Sequence, residues 1–251
     1  MVAAGALAFF VLPLVGLAQR APWSSIGADL RDHDGVMALR LSLECSLGAL
    51  GLSLLLGAPL AWVLARHQFP GRSLARALVT LPMVLPPVVG GIALLYAFGR
   101  RGLAGRWLYA LTGWRLPFTV AGAILAEAFV AMPFLVITAE AAFRSIDQRA
   151  EEAAATLGAS PVYRFRRVTL PAVTPALAAG AALTWARALG EFGATITFAG
   201  NFPGTTQTMP LAIYGDIQSG NDGVAVALSL VLLGVSLVVL VALRDRWLGT
   251  G

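Results

Sequence analysis

Lysine is absent from the 251 residues, cysteine occurs once and histidine twice, and charged side chains make up only 12% of the chain. Each shortage removes a class of protein. Without lysine there is no Gly-x-x-x-x-Gly-Lys-Ser/Thr loop, whose lysine reaches nucleotide phosphates, so the chain cannot be an ATPase built on that loop. The lone Cys45 sits in an apolar run and rules out an internal disulfide or a thiolate metal cage. His33 and His67 are remote from each other, and read as ordinary loop or interface residues. No catalytic, cofactor-binding or metal-ligating constellation is expected. The charged fraction is about half that of a soluble domain. With 58% hydrophobic residues and a mean hydropathy of +0.78, it makes the chain an integral membrane protein. The net charge of +5 and pI near 10.3 would suit nucleic acid, but the 18 basic residues, all arginine, scatter over many short loops and form no patch. No internal repeat is visible, which counts against an inverted-repeat secondary transporter.

What remains reads as an all-α protein of six transmembrane helices in a single domain spanning 1–251. Spans are expected at about 2–19, 41–65, 77–99, 118–143, 172–198 and 223–243, since a bilayer core needs roughly 20 apolar residues. The first run could be a cleaved signal peptide ending near Gly16-Leu17-Ala18, but it lacks a basic leading region. Arg20 to Arg40 reads as a polar loop holding at most one short interfacial helix. The third span carries Leu81-Pro82-Met83-Val84-Leu85-Pro86-Pro87-Val88-Val89-Gly90-Gly91, which must break the helical ladder and therefore belongs inside the bundle or beside a cavity. A kink with only a packing role is an equal reading. The fourth span has Glu127 near its middle, where a carboxyl group normally faces the bundle interior. Glu44, Glu127 and Glu140 read by default as packing or helix-end residues. In the fifth span Arg187 and Glu191 stand four residues apart on one face. The uncharged segment from Gly200 to Thr208 is a loop, by its breakers and amides.

Six spans leave both termini on one side. Ten arginines fall on the side of Arg66, Arg144 and Arg246, and seven on the other. The positive-inside rule thus puts the segment 147–171 and the C-terminus in the cytoplasm. That segment, the one long polar stretch after the first loop, is written as helix, turn, helix. Asp147 can cap a first helix with Glu151 and Glu152 near its positive end. Gly158 suits the left-handed residue that ends it, and Ser160-Pro161 starts the second helix. A short, small-faced helix on the membrane surface is shaped to slot into a groove on a soluble partner; a solvated connector without a partner is the plainer alternative.

Glu152-Ala153-Ala154, Gly158, Phe165, Val168 and Leu170-Pro171 match the EAA signature of the membrane subunits of bacterial ABC importers. Arg187 to Thr195, Ala199-Gly200-Asn201 and Thr206 to Tyr214 resemble the molybdate permease group, with sulfate permeases as near relatives, as do Leu81 to Gly91 and Ala126 to Pro133. The resemblance covers about Leu41 to Trp247. It implies a type I ABC importer permease fold in the bacterial plasma membrane, a homodimer of this subunit, two separate ABC ATPase subunits and an external molybdate-binding protein. It also implies that Glu152, Ala153, Ala154, Gly158 and Phe165 dock the ATPase. Arg187, Glu191, Asn201, Thr206, Gln207 and Thr208 are the candidates for the pathway or gate, with a structural ion pair and a plain loop as the competing roles. Sulfate or tungstate remain alternative cargoes. A channel or secondary transporter working without an ATPase, and a non-transporting anchor, are the rival classes.

Overall fold

The computed structural model describes residues 1–29 and 33–247, which form helices and their connections with no strand among them. In chain order these are α1 (Val2–Gln19), α2 (Ile26–Asp29), α3 (His33–Arg66), α4 (Arg72–Val84), α5 (Pro87–Phe98), α6 (Gly105–Thr112) and α7 (Val120–Ser145). There follow α8 (Gln148–Thr156), α9 (Pro161–Arg164), a π-helical stretch (Phe165–Thr169), α10 (Leu170–Leu189), α11 (Gly193–Phe198), α12 (Met209–Gln218) and α13 (Asp222–Trp247). Four runs are long and apolar enough to cross a membrane: Val2–Gln19, Gly35–Arg66, Val120–Ser145 and Pro161–Leu189. Pro87–Phe98 and Asp222–Val238 are shorter apolar helices.

α7 is the hub, packing on α3, α10, α4, α5 and α11. Its buried face is lined by Gly122, Ala123, Ala126, Ala128, Ala131 and Ala139. Small side chains let helix backbones approach closely where no hydrophobic effect drives them together. One core cluster gathers Ala61 and Leu64 of α3, Val136, Ala139 and Phe143 of α7, and Val173 of α10. A second cluster joins Leu94 of α5, Ala126 and Val130 of α7, and Ala194 and Phe198 of α11. Outward, large apolar side chains such as Leu55, Leu81, Val84, Tyr96 and Val238 are exposed, as a surface solvated by lipid permits.

Three boundaries differ from those expected. The helix carrying the second span begins at His33 rather than 41, because Ala38 and Leu41 are buried, Ala38 against Met209 and Leu228, while Arg40 points outward and ends nothing. The third span is two helices, α4 and α5, parted at the extended Leu85 and Pro86, with Pro87 opening the second. The fifth stops at Leu189, and residues 193–198, counted with it in the sequence, form the separate helix α11. That short helix lies against α5, where Gly91 leaves room: a Cβ there would stand 2.6 Å from Thr197 Cβ and 2.9 Å from the Ala194 carbonyl oxygen.

Candidate functional site: a surface helical segment and an ion-paired corner

The polar segment folds from its own capping residues. Asp147 accepts a hydrogen bond from the Arg149 N–H at 3.0 Å and starts α8. Gly158 has φ of +82°, and the N–H groups of Gly158 and Ala159 return to the carbonyls of Ala155 and Ala154 at 3.0 Å each. A left-handed residue closing the last turn is the ordinary use of glycine here. Ser160 accepts from Tyr163 N–H at 3.3 Å and starts α9, with Pro161 at its first position. On this frame Glu152, Ala153 and Gly158 are exposed and Ala154 is half-buried. Leu157 is 88% exposed and Val162 65%, an apolar offering unusual for a segment that leaves the membrane. Phe165 lies beyond the turn, where its ring lines a groove with Trp62 and Pro161.

The glutamate that fastens this segment is Glu151. Its Oε1 accepts from Arg66 at the end of α3 at 2.7 Å and from the Thr169 hydroxyl at 2.5 Å. One carboxylate therefore joins α3, α8 and the π-helical stretch. A second charged knot lies close by, with Arg76 of α4 and Arg144 of α7 both on Glu140 Oε1. Arg72 and Arg76 also donate to the Leu64 carbonyl, at 2.8 and 3.2 Å, covering groups that the end of α3 leaves without helical partners. Sequence reasoning missed these long-range ties. The Glu140–Arg144 spacing and the Arg72–Arg76 repeat were the signals available.

At the far end of α10, Arg187 meets Glu191 Oε2 at 2.7 Å while Oε1 of the same carboxylate accepts the Ala194 N–H at 2.8 Å. Glu191 is 1% exposed; the Arg187 side chain keeps 30%. The sequence pairing is thus found within one stretch of chain, with an added duty for Glu191 as the cap of α11. Phe192, next along, meets the ring of Tyr214 on α12 at 5.0 Å. Glu127 is buried inside α7, and its Oε2 has no hydrogen-bond partner.

The loop residues do not act as one group. Thr206 and Thr208 are buried at 0% and 1%, so neither presents a surface. Thr206 Oγ1 accepts from Phe202 N–H at 3.2 Å and shapes the loop; the next residue after Thr208, Met209, donates its N–H to Ser42 of α3 at 2.6 Å. Asn201 and Gln207 are half-buried and bring their amides within 4.0 Å of where a side chain at Gly215 would begin. Gln207 also lines a polar cavity of about 320 Å³ with Asp29, Asp216, Ser219 and Asn221.

Residues 54–249 of this multi-span helical bundle match the family model of a class of membrane transport subunits. The chain belongs to the binding-protein-dependent transport system inner membrane components. It is accordingly a multi-pass protein of the inner membrane. Among individual proteins it is 46% identical, over 96% of its length and 90% of theirs, to the molybdenum transport system permease protein ModB of Mycobacterium bovis. It is 42% identical to the protein of that name from Escherichia coli, over 84% of this chain and 92% of the other. Identity to the sulfate transport system permease protein CysT of Salmonella typhimurium is 36%, over 93% and 85%. In fold it resembles a bacterial ABC transporter involved in alginate import, with a TM-score of 0.74 over 98% of this chain and 92% of that one, at 24% identity.

Proposed function

We propose that this chain is the membrane subunit through which an ATP-driven importer passes a tetrahedral oxyanion, and that the oxyanion is molybdate. The observation that carries the cargo is the 46% identity, over nearly the whole chain, to a molybdenum permease, against 36% to a sulfate permease. The working unit is a homodimer of this subunit with two ABC ATPase subunits and an external molybdate-binding protein. α8 is the docking element. Glu152, Ala153, Ala154 and Gly158 form its small-faced surface, Leu157 is its apolar knob, and Phe165 borders it. Closure of the ATPase pair on ATP would draw the two α8 helices together and rock the spans attached to them. The segment 147–171 and the C-terminus are cytoplasmic, supported by the arginine bias across the loops.

Arg187 is the candidate for contact with the passing anion, because its side chain keeps some exposure while Glu191 offsets its charge. Gln207 and Asn201 suit an outer gate or a binding-protein contact better than an anion site, since the cavity that Gln207 lines also carries Asp29 and Asp216. Carboxylates repel a dianion. The test is uptake of labelled molybdate, tungstate and sulfate in cells lacking their own importers and supplied with this chain, its ATPase and its binding protein. Molybdate uptake that needs the ATPase is expected. Uptake persisting without the ATPase would overturn the importer reading; uptake of sulfate alone would overturn the cargo.

A further inference from the structure

Between α3, α10 and the π-helical stretch runs a groove with two unlike ends. One end, of about 460 Å³, is apolar and is walled by Ala58 and Trp62 of α3, Phe143 of α7, Phe165, and Leu170 and Leu177 of α10. The other, of about 290 Å³, holds Arg66, His67 and Arg164 with Glu151 and Thr169. Trp62, Pro161 and Phe165 line both, so the two ends adjoin. Ala58, Trp62 and Arg66 are spaced four residues apart and share one stripe of α3, along which the groove passes from apolar to cationic within about 12 Å. That is the change in polarity met at the boundary of a bilayer.

The charges at the polar end do not balance. Its one carboxylate, Glu151, is already engaged by Arg66 at 2.7 Å and by the Thr169 hydroxyl. Arg164 brings a second guanidinium, and its buried Nε has no hydrogen-bond partner. The Arg164 guanidinium forms no ion pair among the described residues, and an anion in the groove would supply one. The apolar end narrows the kind of anion. A peptide backbone laid along Leu170 and Leu177 would leave its own N–H and C=O groups unpaired, whereas an acyl chain has none. A free inorganic ion would use only the cationic end.

We propose that this groove binds an anionic phospholipid, with its phosphate at Arg164 and Arg66 and one acyl chain along Trp62, Phe143 and Leu177. Basic pockets between spans at the membrane surface are suited to such headgroups. The bound lipid would brace the corner where Glu151 ties the surface segment to α3. The site stands apart from the cargo reading; only the choice of leaflet rests on the cytoplasmic placement of 147–171.

Trp62 lies in both ends and reports occupancy. The assembled transporter, with its ATPase subunits, is placed in phosphatidylcholine nanodiscs containing a minor fraction of brominated phosphatidylglycerol or, separately, of brominated phosphatidylcholine. The quenching of Trp62 is taken as the difference from Trp62→Phe. Quenching by the anionic lipid is expected to be stronger by about fivefold, the attraction of one arginine to an anionic headgroup. Arg164→Gln should bring the two lipids close to equality, and Leu177→Trp, which fills the apolar end, should lower the quenching of Trp62 by both. Equal quenching in the unaltered protein would overturn the proposal. So would absence of quenching by either lipid, which means a protein partner covers the groove, or loss of the preference on adding inorganic phosphate at constant ionic strength, which means a free ion fills the cationic end.

Discussion

Glu191 makes two bonds at once: one carboxylate oxygen holds Arg187 and the other accepts the Ala194 N–H at the start of α11. Replacing it with alanine leaves a guanidinium and a backbone N–H without their acceptor. Glu191→Ala is therefore expected to destabilise the fold by about 3 kcal/mol, the range for breaking a buried pair from one side. Glu191→Gln keeps an acceptor for Ala194 and should cost about half as much. Thermal unfolding in detergent distinguishes them; equal losses would mean that the cap contributes nothing. Arg187→Gln tests the other partner, with lower molybdate uptake by the assembled importer as the expected outcome and unchanged uptake as the result that removes it from the pathway. The pairing itself was legible, because positions four apart on a helix face each other. The cap was not legible, because a single glycine at 190, between the paired Arg187 and Glu191, does not by itself announce that the helix ends there. Thr206 and Thr208 show the converse limit: their polarity reads as exposure, yet both are buried.

At the scale of elements, the surface segment was the most readable part of the chain. Asp147, Gly158 and Ser160-Pro161 are local signals, and local backbone chemistry decides where such short helices begin and end. Gly158 has open space around it, so a side chain there meets strain in the backbone alone. Gly158→Ala is expected to cost about 1 kcal/mol for the left-handed conformation, and Gly158→Asn less. Amide exchange across 148–159 should quicken in that order, with uptake per ATP hydrolysed falling alongside. Identical exchange in the two variants would show that the turn does not hold α8. The third span was half legible: its prolines announced a break, but only the packing of Gly90, Gly91 and Leu94 fixes which half enters the core. The tie from Glu151 to Arg66 joins residues 85 apart in sequence and has no local signature.

For the molecule as a whole, lipid is the reason the sequence reads so easily. A backbone in hydrocarbon must satisfy its own hydrogen bonds, so charge-free runs become helices and their order follows from the loops. Which helices touch is decided by small residues, and those are spread too evenly along this chain to name partners in advance. Gly91 is one place where the contact is tight enough to test. Gly91→Ala would set a methyl group against the Ala194 carbonyl and Thr197, backbone and β-branched neighbours that cannot swing aside. Overpacking of this kind costs about 1–3 kcal/mol. The expected result is a lower yield of folded, monodisperse protein, with Thr197→Ala restoring part of it; full yield from Gly91→Ala alone would show that α5 and α11 can part freely.

The three-way tie at Glu151 has a mechanical meaning beyond holding a loop in place. A surface helix joined to its bundle only through its two chain ends would act like a handle on soft hinges, and the first part of any stroke would be spent taking up slack. Here the carboxylate pins α8 sideways to α3 and to the start of α10 at once. Under the proposed docking, a displacement delivered by the ATPase reaches two long spans in the same instant and in fixed proportion. Such a linkage would leave little backlash, so that under the same docking the stroke of the motor and the travel of the gate would be geared one to the other.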